Sequence, residues 1–451
     1  MSASTHVSLE DTSPQAPLAQ REEQVAALTG LRGLAALMVV VVHSSFLTSY
    51  AWIGIPNYGP MSLFVLSGFL LYRPWSRWAL KAAGRPVVTT FFRRRVARIF
   101  PAYLTVFFVV TMLYPPSRPT GPDGWLQMIT LTWIYQDDPW PSEFAQTWSL
   151  ATELSWYVAL PVLGGVTALV ARRRSQRTGF WVAAGMISLA LPITIGWRLW
   201  VSTLPATDPS GGAAGVVPYF MWLPSFLACF AGGALVAHLA EGHQIGIVSL
   251  RWLRRVCSDR WAAIVFVAVI ALLGTSELGG PPGWPETFGQ EQVRQVCAFV
   301  IALTLLTVVV FGGAKTPLNR VLSTSWATAI GRWSYGIFLW HMPLLLILET
   351  KIDYPPGVLG FLLRLTLVLG LAVPLSAATY VWVEQPAIAW SHQRPRRGTS
   401  GQRNARDPRR ARDRTSEETA APMPSATSRT TIDTQPSAAS SVVRPTSTPG
   451  E

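Results

Sequence analysis

One apolar run near the start of the chain restricts its fold more than any other feature. Leu28-Thr29-Gly30-Leu31-Arg32-Gly33-Leu34-Ala35-Ala36-Leu37-Met38-Val39-Val40-Val41-Val42-His43 is apolar enough to enter a bilayer. It nevertheless holds an Arg and a His, both costly in hydrocarbon unless they face protein or water. On a helix, the step from Arg32 to His43 is about 16 Å of rise and close to three full turns, so the two share one face. A snorkelling anchor accounts for Arg32, and a hydrogen-bonded core residue accounts for His43. A cation near one surface aligned with a base at depth is the catalytic alternative.

Half of the 451 residues are hydrophobic, only 14% are charged, and 20 are Trp. Repeated apolar runs near bilayer length predict an all-α polytopic integral membrane protein. The net charge of +13 includes a tail, residues 391–451, with eleven Arg against six acids. The rest is the basic excess expected of cytoplasmic loops, so no nucleic acid partner is implied. Cys229, Cys257 and Cys297 lack metal-ligand spacing, and neither a disulfide framework nor a metal site is expected.

Residues 1–27 are polar, with no apolar segment before a cleavage site, and predict a disordered cytoplasmic arm. About ten spans fill 28–390, near 28–50, 61–78, 99–114, 145–171, 179–201, 216–239, 261–276, 293–313, 328–349 and 357–390. Basic loops at 81–98, 172–174 and 251–260 place alternate connections, and both termini, in the cytoplasm of a multi-pass cell-membrane protein. The acidic, Trp-rich stretch 115–145 reads as an outer loop with a short interfacial helix near Trp125 to Tyr135. Residues 391–451 read as a disordered basic tail able to lie on anionic lipid.

Three further stretches can carry chemistry. In Phe91 to Tyr103, Arg95 and Arg98 share a face if the segment is helical, and two guanidinium forks can grip phosphate oxygens. Fixing topology is the competing account of these Arg residues. In Gln146 to Tyr157, Glu153 can orient an imidazole or bind a sugar hydroxyl, while Trp148 and Tyr157 can stack on a sugar or form an interfacial belt. In Gly331 to Leu344, His341 falls mid-span, and Pro343 is expected to break the helix and free carbonyls. His238, His243 and His392 suggest nothing special.

Together these stretches resemble the membrane-bound acyltransferase type-three family, which includes polysaccharide and antibiotic-sugar O-acyltransferases. The resemblance covers 28–390 and rests on motifs in order. They are Arg32 with His43, Phe64 to Phe69, Arg95-x-x-Arg98 before Ile99-x-Pro101, Trp148-Ser149-x-x-x-Glu153, Tyr335 to Pro343, and Tyr380-Val381-Trp382-Val383-Glu384-Gln385-Pro386. Gln385 departs from the pattern, where Arg is common.

The resemblance implies transfer of an acyl group, acetyl foremost, from cytoplasmic acyl-coenzyme A to a hydroxyl of a sugar-containing acceptor. Such acceptors are cell-surface polysaccharides, glycolipids and glycosylated metabolites. It implies His43 as catalytic base with Arg32 paired to it in the motif, and Arg95 and Arg98 as the acyl-coenzyme A site. Glu153 completes the expected catalytic set, and His341, Trp148 and Tyr157 are the expected acceptor residues. A transporter or flippase passing substrate along intramembrane His and Arg residues is the rival reading; it predicts inverted repeats, which the sequence does not display.

Overall fold

The computed structural model describes residues 18–46, 48–50, 53, 58–136, 142–204, 217–281, 287–314 and 316–393. Residues 1–17 of the expected arm, the expected tail from 394 onward and most of the outer loop 202–215 lie outside the described residues. The first half of the bundle comprises α1 (Leu18–Phe46), α2 (Tyr58–Ala79), α3 (Val88–Leu113), α4 (Gly121–Thr130), α5 (Trp148–Arg172), α6 (Gln176–Ser188), α7 (Ala190–Val201) and α8 (Val217–Met221). The second comprises α9 (Leu223–Gln244), α10 (Arg251–Ser258), α11 (Arg260–Gly274), α12 (Phe288–Phe311), α13 (Pro317–Leu322), α14 (Ser325–Glu349), α15 (Gly357–Thr379) and α16 (Gln385–His392). No strand occurs among the described residues.

Seven helical stretches are long and apolar enough to cross a membrane, and α10 with α11 forms an eighth, bent by 76°. Their outward faces are apolar, as Val158, Val162, Val166 and Leu169 show on α5 and Val265, Val269 and Leu272 on α11. Such exposed apolar stripes suit lipid contact. The chain is therefore a polytopic membrane protein. Helices α2 and α14, at 22 and 25 residues, also have spanning length but a more mixed composition. The reason lies in their position: 16 of the 22 residues of α2 are buried, so protein rather than lipid surrounds it, and Arg73 and Ser76 find partners there in Glu241 and His238.

Two boundaries differ from the sequence reading. Helix α1 begins at Leu18, ten residues ahead of Leu28, and Val88 to Arg98, expected as loop, forms the first turns of α3. Charged residues ended the apolar pattern in both places, but the backbone pairs internally whatever the side chains face. The expected interfacial helix is present as α4, followed by a 3-10 turn at Trp133–Tyr135.

Among the helix pairs that touch backbone to backbone, two shape the site. A Cβ on Gly331 would lie 2.0 Å from the Thr29 carbonyl oxygen, which holds α1 against α14. A Cβ on Gly233 would lie 1.8 Å from the Val65 carbonyl oxygen, which does the same for α2 and α9. Small residues permit this approach where apolar lipid offers no hydrophobic drive to pack helices. Cys229 meets Met61 at 3.6 Å, and Arg73 pairs with Glu241 at 2.9 Å. Residue numbers rise together along both members, so α2 and α9 run parallel.

Candidate active site

Helices α1 and α14 also run parallel, pinned by two polar contacts. At one end, Arg32 Nη2 donates to the Gly331 carbonyl at 2.7 Å, while its Nε donates to Gly331 at 3.1 Å and to the Ser334 hydroxyl at 3.0 Å. Further along, His43 Nδ1 lies 2.8 Å from His341 Nε2, with the rings stacked at 5.1 Å and 2° between planes. The contacts are about 16 Å apart along α1.

The surrounding carbonyls fix the protons of the pair. His341 is fully buried, and its Nδ1 faces the carbonyl oxygens of Phe338 at 2.7 Å and Ile337 at 3.2 Å. A carbonyl only accepts, so His341 carries its proton on Nδ1. With one proton per ring, His341 Nε2 accepts from His43 Nδ1, and His43 Nε2 is left bare. His43 is half-buried, so that nitrogen sits on the less enclosed partner. His341, expected at the acceptor, is placed directly against His43.

Pro343 contributes without the break expected of it. Helix α14 continues through it to Glu349. The missing N–H leaves the Leu339 carbonyl without its helical donor. Gln146 Nε2 fills that role at 3.2 Å, which ties the 3-10 segment Ser142–Thr147 to the helix bearing His341.

A second polar centre gathers at the Arg32 end. Arg98 Nη1 lies 3.9 Å from Glu384 Oε2. Tyr157 donates to Glu153 at 2.8 Å, with the Arg95 guanidinium 5.9 Å from the Tyr157 ring centroid. Arg32 feels the charges of Arg98, Glu384 and Glu153, and the Tyr335 hydroxyl donates to the Ile99 carbonyl at 2.9 Å. Among the described residues, Arg93 Nε and Arg95 Nε are buried without hydrogen-bond partners. The structure thus brings Arg32, Arg98 and Glu153 into one neighbourhood, with Tyr157 bonded to Glu153 and Arg95 over the Tyr157 ring. Arg32 and Glu153 belong to this centre, not to the imidazole pair.

Trp148 stands apart from both. It packs against Phe226 at 5.2 Å and Phe64 at 6.0 Å, within the aromatic core between α2, α5 and α9. Glu384 is the residue the sequence reading left without a role, although its motif was in view. A lone carboxylate in the last apolar run was the signal that could have found it.

No solved structure matches this chain. Acyltransferase MdmB of Streptomyces mycarofaciens is 25% identical over 339 residues, covering 71% of this chain and 79% of MdmB. Peptidoglycan O-acetyltransferase OatA of Listeria monocytogenes serovar 1/2a is 23% identical over 340 residues, covering 71% of this chain and 49% of OatA. A family model described as an acyltransferase domain matches residues 25–381, a range that holds the imidazole pair and all of the second centre but Glu384, and the chain belongs to that acyltransferase 3 family.

Proposed function

We propose that this protein is an O-acyltransferase that moves an acyl group, acetyl first, from cytoplasmic acyl-coenzyme A to a hydroxyl of a sugar-containing acceptor, with His43 as general base. The observation that carries the reading is the bare Nε2 of His43, set by the hydrogen bond from its Nδ1 to a His341 whose own proton is committed to carbonyls. The acceptor hydroxyl gives its proton to His43 Nε2 as its oxygen attacks the thioester carbonyl. The carbon–sulfur bond then breaks, and the thiolate takes the proton and leaves as coenzyme A, restoring the imidazole. His341 orients His43, and Arg95 and Arg98 bind donor phosphates as bidentate forks. Arg32 fixes the register of α14 and hence of His341. Glu153 buttresses Tyr157 beside Arg95.

The arrangement proposed around this chemistry has ten spans with both termini cytoplasmic. In that order the first and ninth spans run the same way, as do the second and sixth. The parallel packing of α1 with α14 and of α2 with α9 supports it. Arg95 and Arg98 then stand at the cytoplasmic face where the donor is found, and the 28–390 segment forms one membrane domain.

The reading is tested by acetyl transfer from radiolabelled acetyl-coenzyme A in membranes holding the wild type or His43→Ala, with extracted glycans and glycolipids as acceptors. Label on a glycan only with His43 present is the expected result. Equal label from both proteins removes His43 as the base. No label from either, together with no coenzyme A binding, favours a transporter or flippase.

A further inference from the structure

Resting on the donor assigned above, we infer that Glu384 is a donor-recognition residue, accepting hydrogen bonds from the amide N–H groups of the pantetheine arm of acyl-coenzyme A. The Glu384 residue is 1% exposed, and among the described residues neither Oε1 nor Oε2 has a hydrogen-bond partner. A buried carboxylate left in that state is costly. Arg98 offsets only part of it, since 3.9 Å is an ion-pair distance and too long for a hydrogen bond. The site therefore holds acceptor oxygens for which no described residue supplies a hydrogen-bond donor.

Its backbone setting fits that role. Glu384 closes a π-helical turn, Tyr380–Glu384, between α15 and α16. Single-turn insertions of this kind re-aim a side chain without ending the helix and recur at functional sites. The turn packs against α3, the helix that bears Arg95 and Arg98. Phosphates gripped by Arg98 bring whatever is attached to them alongside Glu384.

In acyl-coenzyme A the attached group is an uncharged arm with two amides, whose N–H groups are the donors the carboxylate lacks. Carbonyl-only or purely aliphatic arms would leave Glu384 unsatisfied and would be penalised for it. The thioester lies at the far end of the arm, which in extended form can run along α1 from the Arg32 end toward His43. Arg95 and Arg98 read the phosphates, and Glu384 reads the arm.

The test is a titration of the purified full chain in detergent with two probes, coenzyme A and 3′-phosphoadenosine 5′-diphosphate, which carries the phosphates but no arm. Glu384→Ala is expected to weaken coenzyme A binding about tenfold and leave the nucleotide unaffected. Glu384→Gln keeps one acceptor oxygen and the side-chain shape, so it should lose less, with the same selectivity, and it carries the test if the Ala variant does not fold. Arg98→Ala should weaken both probes. Equal weakening of both by Glu384→Ala overturns the inference, because the carboxylate then only holds Arg98 in place; unchanged binding of both overturns it as well. A wild type that binds neither probe brings down the donor assignment itself, an outcome distinct from the failure of Glu384.

Discussion

His341 commits its Nδ1 proton to the Phe338 carbonyl at 2.7 Å and presents Nε2 to His43 Nδ1 at 2.8 Å, so the buried imidazole dictates the tautomer of the less buried one. Removing His341 leaves the base present but free to turn or to carry its proton on the wrong nitrogen. His341→Ala is expected to lower kcat about 10²-fold with the donor KM nearly unchanged, against about 10³-fold for His43→Ala. Steady-state kinetics on both variants in the same membrane preparation checks the order; equal losses would make the two imidazoles a single unit.

Two arginines of the other centre, Arg98 and Arg32, do different work despite their proximity. Arg98 is about one-fifth exposed, and its contact with Glu384 is an ion pair at 3.9 Å, too long for a hydrogen bond, so its fork is open to a ligand. Arg98→Ala should raise the KM for acetyl-coenzyme A about tenfold and change kcat little.

Arg32 spends its donors on Gly331 and Ser334 of α14. Arg32→Lys loses the charge-assisted fork onto α14, although Ser334 still donates to the Gly331 carbonyl at 2.9 Å, a cost of about 1.5–3 kcal/mol. It should show as a lower melting temperature in detergent, with activity per folded molecule above that of His43→Ala. Full stability with abolished turnover would return Arg32 to the chemistry.

How far this site was readable from the sequence depends on which distances lie within one helix. Arg32 and His43 share α1, so their alignment and spacing followed from helical rise alone. Arg95 with Arg98, and Glu153 with Tyr157, were legible for the same reason, each pair being three or four residues apart. That His43 meets His341 depends on two helices almost 300 residues apart coming into contact, and what brings them together is the bare backbone at Gly331, which no periodicity announces. The separation of Glu153 from the base was invisible likewise, because a motif lists residues in chain order and says nothing of which centre each joins. The all-helical membrane fold was legible because lipid-facing runs must be apolar, whereas α2 and α14 were less so, since helices enclosed by protein are free of that demand.

The Gly331 contact can be challenged directly. A methyl group there would meet the Thr29 carbonyl oxygen at 2.0 Å, and backbone cannot yield as a flexible side chain does. Gly331→Ala should force α1 from α14, cost about 1–3 kcal/mol and widen the imidazole gap. Both melting temperature and kcat are expected to fall together, whereas Gly185→Ala, inside α6 with open space around its Cβ, serves as the control that lowers neither. An unaffected kcat in the Gly331 variant would mean that helix contact does not set the His43–His341 distance.

A third imidazole provides the contrast that separates structure from chemistry. His238 is fully buried on α9, its Nε2 donates to the Phe180 carbonyl at 3.0 Å, and its Nδ1 therefore accepts from Ser76 on α2 at 2.8 Å. This Ser–His pair has the bonding order of a nucleophile and its base, yet both residues are 0% exposed and, unlike Glu384, both nitrogens of His238 are already bonded within the protein, so the pair offers a ligand no unpaired group. Its effect is to join α2, α6 and α9 beside the Arg73–Glu241 ion pair. Ser76→Ala strips the buried Nδ1 of its donor and should destabilise the bundle by about 1–3 kcal/mol, read as a lower melting temperature. Acetyl transfer per folded molecule should stay at the wild-type level. The opposite result, a normal melting temperature with lost transfer, would move the catalytic centre from His43 to Ser76 and would require the α2–α9 seam to open during turnover.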